Sequence, residues 1–122
     1  LDQLVAMMNE HPNIRIEMGS HTDRKGTDEY NNQLSLRRAQ SVVDYLIRKG
    51  VSQERLTSKG YGKTVPKTIT KKNASKFSEW LKEGDILTQE FVDELTPEQQ
   101  QEADQLNRRT EFTIIDTQYK LR

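Results

Sequence analysis

The stretch His21 to Gln40, HTDRKGTDEYNNQLSLRRAQ, gathers acids, bases and amides where a loop runs into a helix. If residues 28 to 49 are helical, Asn31, Leu34 or Ser35, and Arg38 recur every three to four residues and share one face, with Asp23 just ahead of the helix. Arginine offers a planar fork to a carboxylate, aspartate accepts hydrogen bonds from an ammonium, and asparagine both donates and accepts. Such a set suits a small zwitterion. A plain Asp23–Arg38 ion pair that orients the loop satisfies the same spacing. On spacing alone that pair is the more economical reading, because exposed ion pairs are common and worth only ~0–1 kcal/mol.

Other chemistries find less support. His21 and Asp23 form a base and orienting acid on paper, but the chain has two histidines, no cysteine and no serine in a G-x-S-x-G elbow. A histidine at a strand end more often bonds the next loop's backbone. His-x-Asp alone supplies too few ligands for zinc or iron, and His11 belongs to a different helix end. No catalytic residue, metal or cofactor is therefore expected. Asn107-Arg108-Arg109 is a second polar knot, placed to tie the last strand to a helix or to carboxylates. Phe77 and Trp80 read as a small core pinning their segment, with sugar stacking as the alternative.

The 122 residues suffice for one domain, 1–122. Hydrophobic residues make up 32% and charged residues 31%, yet the apolar positions keep regular periods, as in a folded chain. Nineteen basic residues balance nineteen acidic ones, which leaves no global field to hold nucleic acid or an anionic membrane. Recognition by charge must be local. No apolar run approaches the ~20 residues of a membrane span.

The elements that would position the site follow from pattern. Leu1, Leu4, Val5 and Met8 keep helical spacing, so the chain is expected to begin inside a helix whose preceding segment is missing; His11-Pro12-Asn13 ends it. IRIEMGS alternates Ile14, Ile16 and Met18 with polar neighbours as a strand aimed at His21-Thr22-Asp23. Thr27 caps the next helix, which runs to about Gly50 with Tyr30, Leu34, Ala39, Val42, Val43, Leu46 and Ile47 as its apolar stripe. A short turn capped by Ser52, a strand near Leu56 to Lys59 and a glycine-rich turn lead to Pro66. Residues 67–103 read as an inserted or extended segment in which Thr96-Pro97-Glu98-Gln99 starts a helix reaching about Gln105. RRTEFTIIDT alternates Thr110, Phe112 and Ile114 as a last strand. Strands alternating with helices argue for a small α/β layer fold and leave a mixed sheet open.

Taken in order, HTD, a glycine, an asparagine, LSLRRAQSV, GYG and NRR resemble the C-terminal peptidoglycan-binding domain of the outer membrane protein A family, shared with peptidoglycan-associated lipoproteins and flagellar stator proteins. The likeness covers residues 1 to 66 and 104 to 115. It implies a small two-layer α/β domain, a mixed parallel and antiparallel sheet packed against helices, with the first strand absent from this chain. It also implies non-covalent binding of the peptidoglycan stem peptide, with Asp23 and Arg38 at the positions that hold the zwitterionic end of diaminopimelate. By the same implication Asn31, Thr22 and Leu34 line the pocket, while His21, Arg108 and Arg109 belong to its rim or support. Such a module would sit in the periplasm and tether an outer-membrane protein to the cell wall through an upstream region.

The chain departs from the family pattern in three places. Ser20 stands where a glycine usually precedes the histidine, beside Gly19. The first strand and its following loop are missing. Residues 67–103 exceed the usual connection between GYG and NRR and are similar to insertions in Bacteroidetes members. That segment supplies the rival reading, a protein–protein interaction module.

Overall fold

The computed structural model describes residues 1–120. Its elements are α1 (Asp2–Glu10), β1 (Arg15–His21), α2 (Asp28–Arg48), a single 3-10 turn (Gln53–Arg55), β2 (Leu56–Gly62), α3 (Lys71–Lys76), α4 (Gln89–Asp93), α5 (Pro97–Asn107) and β3 (Arg109–Asp116). The three strands form one mixed sheet in the order β2-β1-β3, with β1 parallel to β2 and antiparallel to β3. This is the expected α/β class with a mixed sheet.

Alternation along β1 sets the layers. Ile16 and Met18 turn inward and join Met8, Ile14, Ala39, Val43, Leu46, Val51 and Leu56 in the main core between sheet and helices. Glu17, Gly19 and His21 occupy the other face. Thr27 caps α2 as expected, its side chain accepting from the Tyr30 N–H. The buried face of α2 begins with Asn31 and Ser35 before Ala39, Val43 and Leu46. Tyr30, assigned to the apolar stripe, is instead 58% exposed. Ser52 precedes the 3-10 turn but makes no capping hydrogen bond.

β2 extends through the GYG that sequence pattern assigns to a turn. The register explains why glycine is used there. A bulge between Ser20 and His21 inserts Tyr61 as an extra residue, so Ser20 pairs with Gly60 and His21 with Gly62. Gly60 and Gly62 face α2 at the Asn32–Leu36 turn, while Tyr61 crosses the opposite face of the sheet. There its ring covers Gly19 and stacks on His21 at 5.0 Å, and its hydroxyl donates to Glu17.

Residues 67–107 build a second small core from Ile69, Leu81, Leu87, Val92 and Ala103, against which Phe77, Trp80, Phe91 and Leu106 pack. Phe77 and Trp80 meet at 5.6 Å with their rings tilted, in the pinning role. The segment closes on itself where the Leu87 N–H donates to the Lys67 carbonyl and the Gly84 N–H to the Ile69 carbonyl. Thr96 and Gln99 form the reciprocal cap expected for α5, which continues to Asn107. β3 is the expected last strand, at an edge of the sheet, and Phe112, Ile114 and Ile115 along it are 45–52% exposed.

Candidate functional site

The site is built where β1 leaves the sheet. The Thr22 N–H donates to the Gly62 carbonyl at 2.8 Å, carrying the β1–β2 ladder one residue past the strand and burying Thr22. Asp23 follows, with 14% of its side chain exposed. One carboxylate oxygen accepts the Lys25 N–H at 2.9 Å, the local turn that aspartate favours. The other accepts from Arg108 Nη1 at 2.6 Å. Each oxygen keeps a further lone pair, so the group is oriented without being exhausted.

The loop after Asp23 is fixed from three sides. Buried Asn31 donates its side-chain amide to the Lys25 carbonyl at 2.8 Å, and Gly26 takes the left-handed conformation (φ +89°) that the tight turn over Asn31 needs. Lys63 reaches from beyond β2 to the Gly26 carbonyl at 2.9 Å. Arg24 lies 3.4 Å from Asp104 and 3.7 Å from Asp93, which ties the loop to α5 and α4. Asp104 is almost wholly buried. Burial pushes its carboxyl above the usual range, against the pull of the Arg24 guanidinium.

Beside Asp23 opens a polar cleft of about 350 Å³. Thr22, Asp23, Arg24 and Asp28 line one side, Lys63, Thr64 and Pro66 the second, and Leu87, Gln89 and Asn107 the third, with Asp28 3.8 Å from Lys63. Of the residues expected to form a pocket, the structure brings Thr22 and Asp23 into this cleft. Asn31 lies beneath the loop as its support. Leu34 is half-buried on α2, and Arg38 stands exposed one turn further on; neither lines the cleft. The simple Asp23–Arg38 ion pair does not form: Asp23 pairs with Arg108, and Arg38 makes no ion pair among the described residues. Arg108, between α5 and β3, takes the place beside Asp23.

His21 and Arg109 stand apart from this cleft. They share a crevice of about 200 Å³ on the open face of the sheet with Glu17, Tyr61 and Glu111. Burial, aided by the charge of Arg109, lowers the affinity of His21 for a proton, and its Nδ1 is buried without a hydrogen-bond partner. His21 and Asp23 line separate clefts and share no hydrogen bond among the described residues, so they do not form the dyad their spacing suggests. Among the described residues no cluster of three or more His, Asp or Glu side chains is placed to hold a metal ion. Nor is any helix among them long and apolar enough to cross a membrane.

Sequence reasoning passed over Arg24, Lys63, Gln89 and Asp104. The first and last are clamp residues eighty positions apart, and no local pattern joins them. Lys63 carried a signal, since a lysine directly after GYG follows a strand parallel to the one that ends at the site.

Comparison with known proteins places these features in a family. The family model described as OmpA family matches residues 1–79. Over 73 residues the chain is 45% identical to outer membrane protein A of Escherichia fergusonii, covering 56% of this chain and 29% of that protein. It is 41% identical over 63 residues to outer membrane porin F of Pseudomonas fluorescens, covering 52% of this chain and 19% of the porin. The chain thus spans less than a third of the length of these relatives. A solved OmpA-like domain of FopA1 from Francisella tularensis subsp. tularensis SCHU S4 is 28% identical, with a TM-score of 0.46 over 48% of this chain and 41% of that one. With more than half of its length matched by the family model, the chain belongs to the OmpA family.

Proposed function

We propose that this domain binds peptidoglycan non-covalently through the diaminopimelate of the stem peptide and so tethers an outer-membrane protein to the cell wall from the periplasmic side. The observation that carries the reading is the state of the two charged groups. Asp23 is held at a cleft mouth by Arg108 and the Lys25 N–H, and Arg38 is exposed on the helix that follows, with no ion pair among the described residues. Asp23 takes the ammonium of the ligand's zwitterionic end and Arg38, from the helix outside the cleft, its carboxylate, the partner each group's chemistry favours. Thr22 adds a hydroxyl in the cleft, Asn31 keeps the loop in register, and Leu34 offers a half-buried apolar edge.

The module acts by binding and not by catalysis. His21 and Asp23, the pair that could do acid–base work, line different clefts. The alternative, a protein-interaction surface on residues 67–103, is disfavoured because that segment spends its large apolar side chains on its own core and leaves only Ile86 prominently exposed. Recognition through two charged groups gives modest affinity that weakens with salt and gains from many copies acting on one polymer.

Co-sedimentation with purified sacculi checks this. Asp23→Ala and Arg38→Ala are each expected to lower retention about tenfold or more, the ~1.5–3 kcal/mol of a hydrogen bond to a charged group. Arg37→Ala, on the same helix, should sediment like wild type. Retention of both site variants at the wild-type level would overturn the assignment. Sacculi incubated with the protein should release no soluble fragments.

A further inference from the structure

One wall of the Asp23 cleft comes from residues 67–107, the part of the chain with its own core. Arg24, next to Asp23, reaches across to Asp104 and Asp93, and Asn107 binds the segment internally, accepting the Lys67 N–H and donating to the Leu87 carbonyl. Of the three residues that form this wall, Leu87 is buried in the segment's core and Asn107 has spent its amide. Gln89 remains, exposed at the start of α4, with a neutral donor and acceptor and no hydrogen-bond partner among the described side chains.

We infer that Gln89 is a specificity-determining residue of the binding site, reading neutral hydrogen-bonding groups of the ligand adjacent to the zwitterion held by Asp23. This rests on the binding reading above. The shared chemistry of such groups is an uncharged donor–acceptor pair, supplied either by the amides of the stem peptide or by sugar hydroxyls. A carboxamide matches both, and it neither attracts nor repels the charged end already matched by Asp23 and Arg38. The cleft volume of about 350 Å³ exceeds what a single amino-acid end group needs and leaves room for the next unit.

The test titrates wild type and Gln89→Ala with three probes: free diaminopimelate, a stem tripeptide ending in diaminopimelate, and the same tripeptide carried on its disaccharide. Gln89→Ala should bind free diaminopimelate like wild type and the tripeptide about fivefold more weakly, which assigns the contact to peptide amides. A loss confined to the disaccharide probe assigns it to sugar hydroxyls and also supports the inference. Equal affinity of the two proteins for every probe, or equal loss for all three, overturns it. Failure of the zwitterion reading looks different: wild type then ignores free diaminopimelate, while any difference between the two proteins on the tripeptide still decides the role of Gln89. If wild type binds none of the probes, both readings fall.

Discussion

Gly60→Ala is expected to destabilise the domain by about 3 kcal/mol, at the upper end of overpacking costs, and to lower its melting temperature by roughly 10 °C. A methyl group at this position would lie 2.5 Å from the Asn32 carbonyl oxygen and 2.8 Å from the Leu36 Cα, and closer still to the Leu36 amide nitrogen. All three are backbone atoms of α2, so no side chain can rotate away to make room. The helix itself would have to back off β2, opening the core that Ala39, Val43 and Leu46 fill. Gly50→Ala supplies the control. Gly50 also has a positive φ (+98°), but nothing lies within 4 Å of its missing Cβ, so only the local left-handed penalty of about 1 kcal/mol applies. Urea denaturation of the two variants separates these effects. A loss at Gly60 no larger than that at Gly50 would show that β2 and α2 are not in the close contact described.

Arg55→Ala should cost about 3 kcal/mol or more through a different mechanism. Arg55 is 5% exposed and donates to three carbonyls, Ile14 at 2.9 Å, Met8 at 2.9 Å and His11 at 2.7 Å. Those acceptors end α1 and begin β1, so one guanidinium joins the helix, the turn at Pro12 and the first strand. Burial lowers its proton affinity, but it remains a cation that repays its desolvation with these charge-assisted bonds. Truncation leaves buried acceptors unsatisfied, at ~1–3 kcal/mol each, and removes the packed alkyl stem. Arg55→Lys should recover part of the loss, because one ammonium cannot span the three carbonyls that a fork reaches. Unfolding midpoints for the alanine and lysine variants check the order. An alanine variant within 1 kcal/mol of wild type would contradict this account.

Both positions illustrate where sequence pattern carries the fold and where it stops. β1 and α2 were legible because each buries one face, and periodicities of two and of three to four residues record that burial directly. The capping box at Thr96 was legible because it is local. Gly60 and Gly62 read as turn formers because a glycine's openness to turns is visible in sequence, whereas the helix that needs its missing Cβ is not. The first turn of α2 misled for a related reason. Its buried positions are Asn31, which serves the loop, and Ser35, which accepts the Gly62 N–H, so Tyr30 looked like the better core residue although it faces solvent.

The site divides in the same way. Thr22 and Asp23 followed from the strand that points at them, and the resemblance to a known family singled out Arg38. The partner of Asp23 did not follow, since Arg108 lies 85 residues away and only the antiparallel pairing of β3 with β1 brings it close. That pairing matters for function. It puts an Asp23–Arg108 pair where spacing alone offered Asp23–Arg38, and under the proposed function Arg38 is the group that meets the ligand's carboxylate. The contribution of residues 67–107 to the cleft was equally hidden, because it rests on Arg24, Asp93 and Asp104 meeting across the fold.

The proposed site recognises an ammonium and a carboxylate on the same carbon at the end of a stem peptide. Calorimetric titration with two stem tripeptides, one ending in diaminopimelate and the other in lysine, tests it most directly, since in the peptide the lysine side chain carries the ammonium without the adjacent carboxylate. The account predicts that the diaminopimelate peptide binds about tenfold more tightly, the ~1.4 kcal/mol of one added charged contact, and that Arg38→Ala abolishes the difference. Equal affinity for the two peptides in the wild-type protein would contradict it.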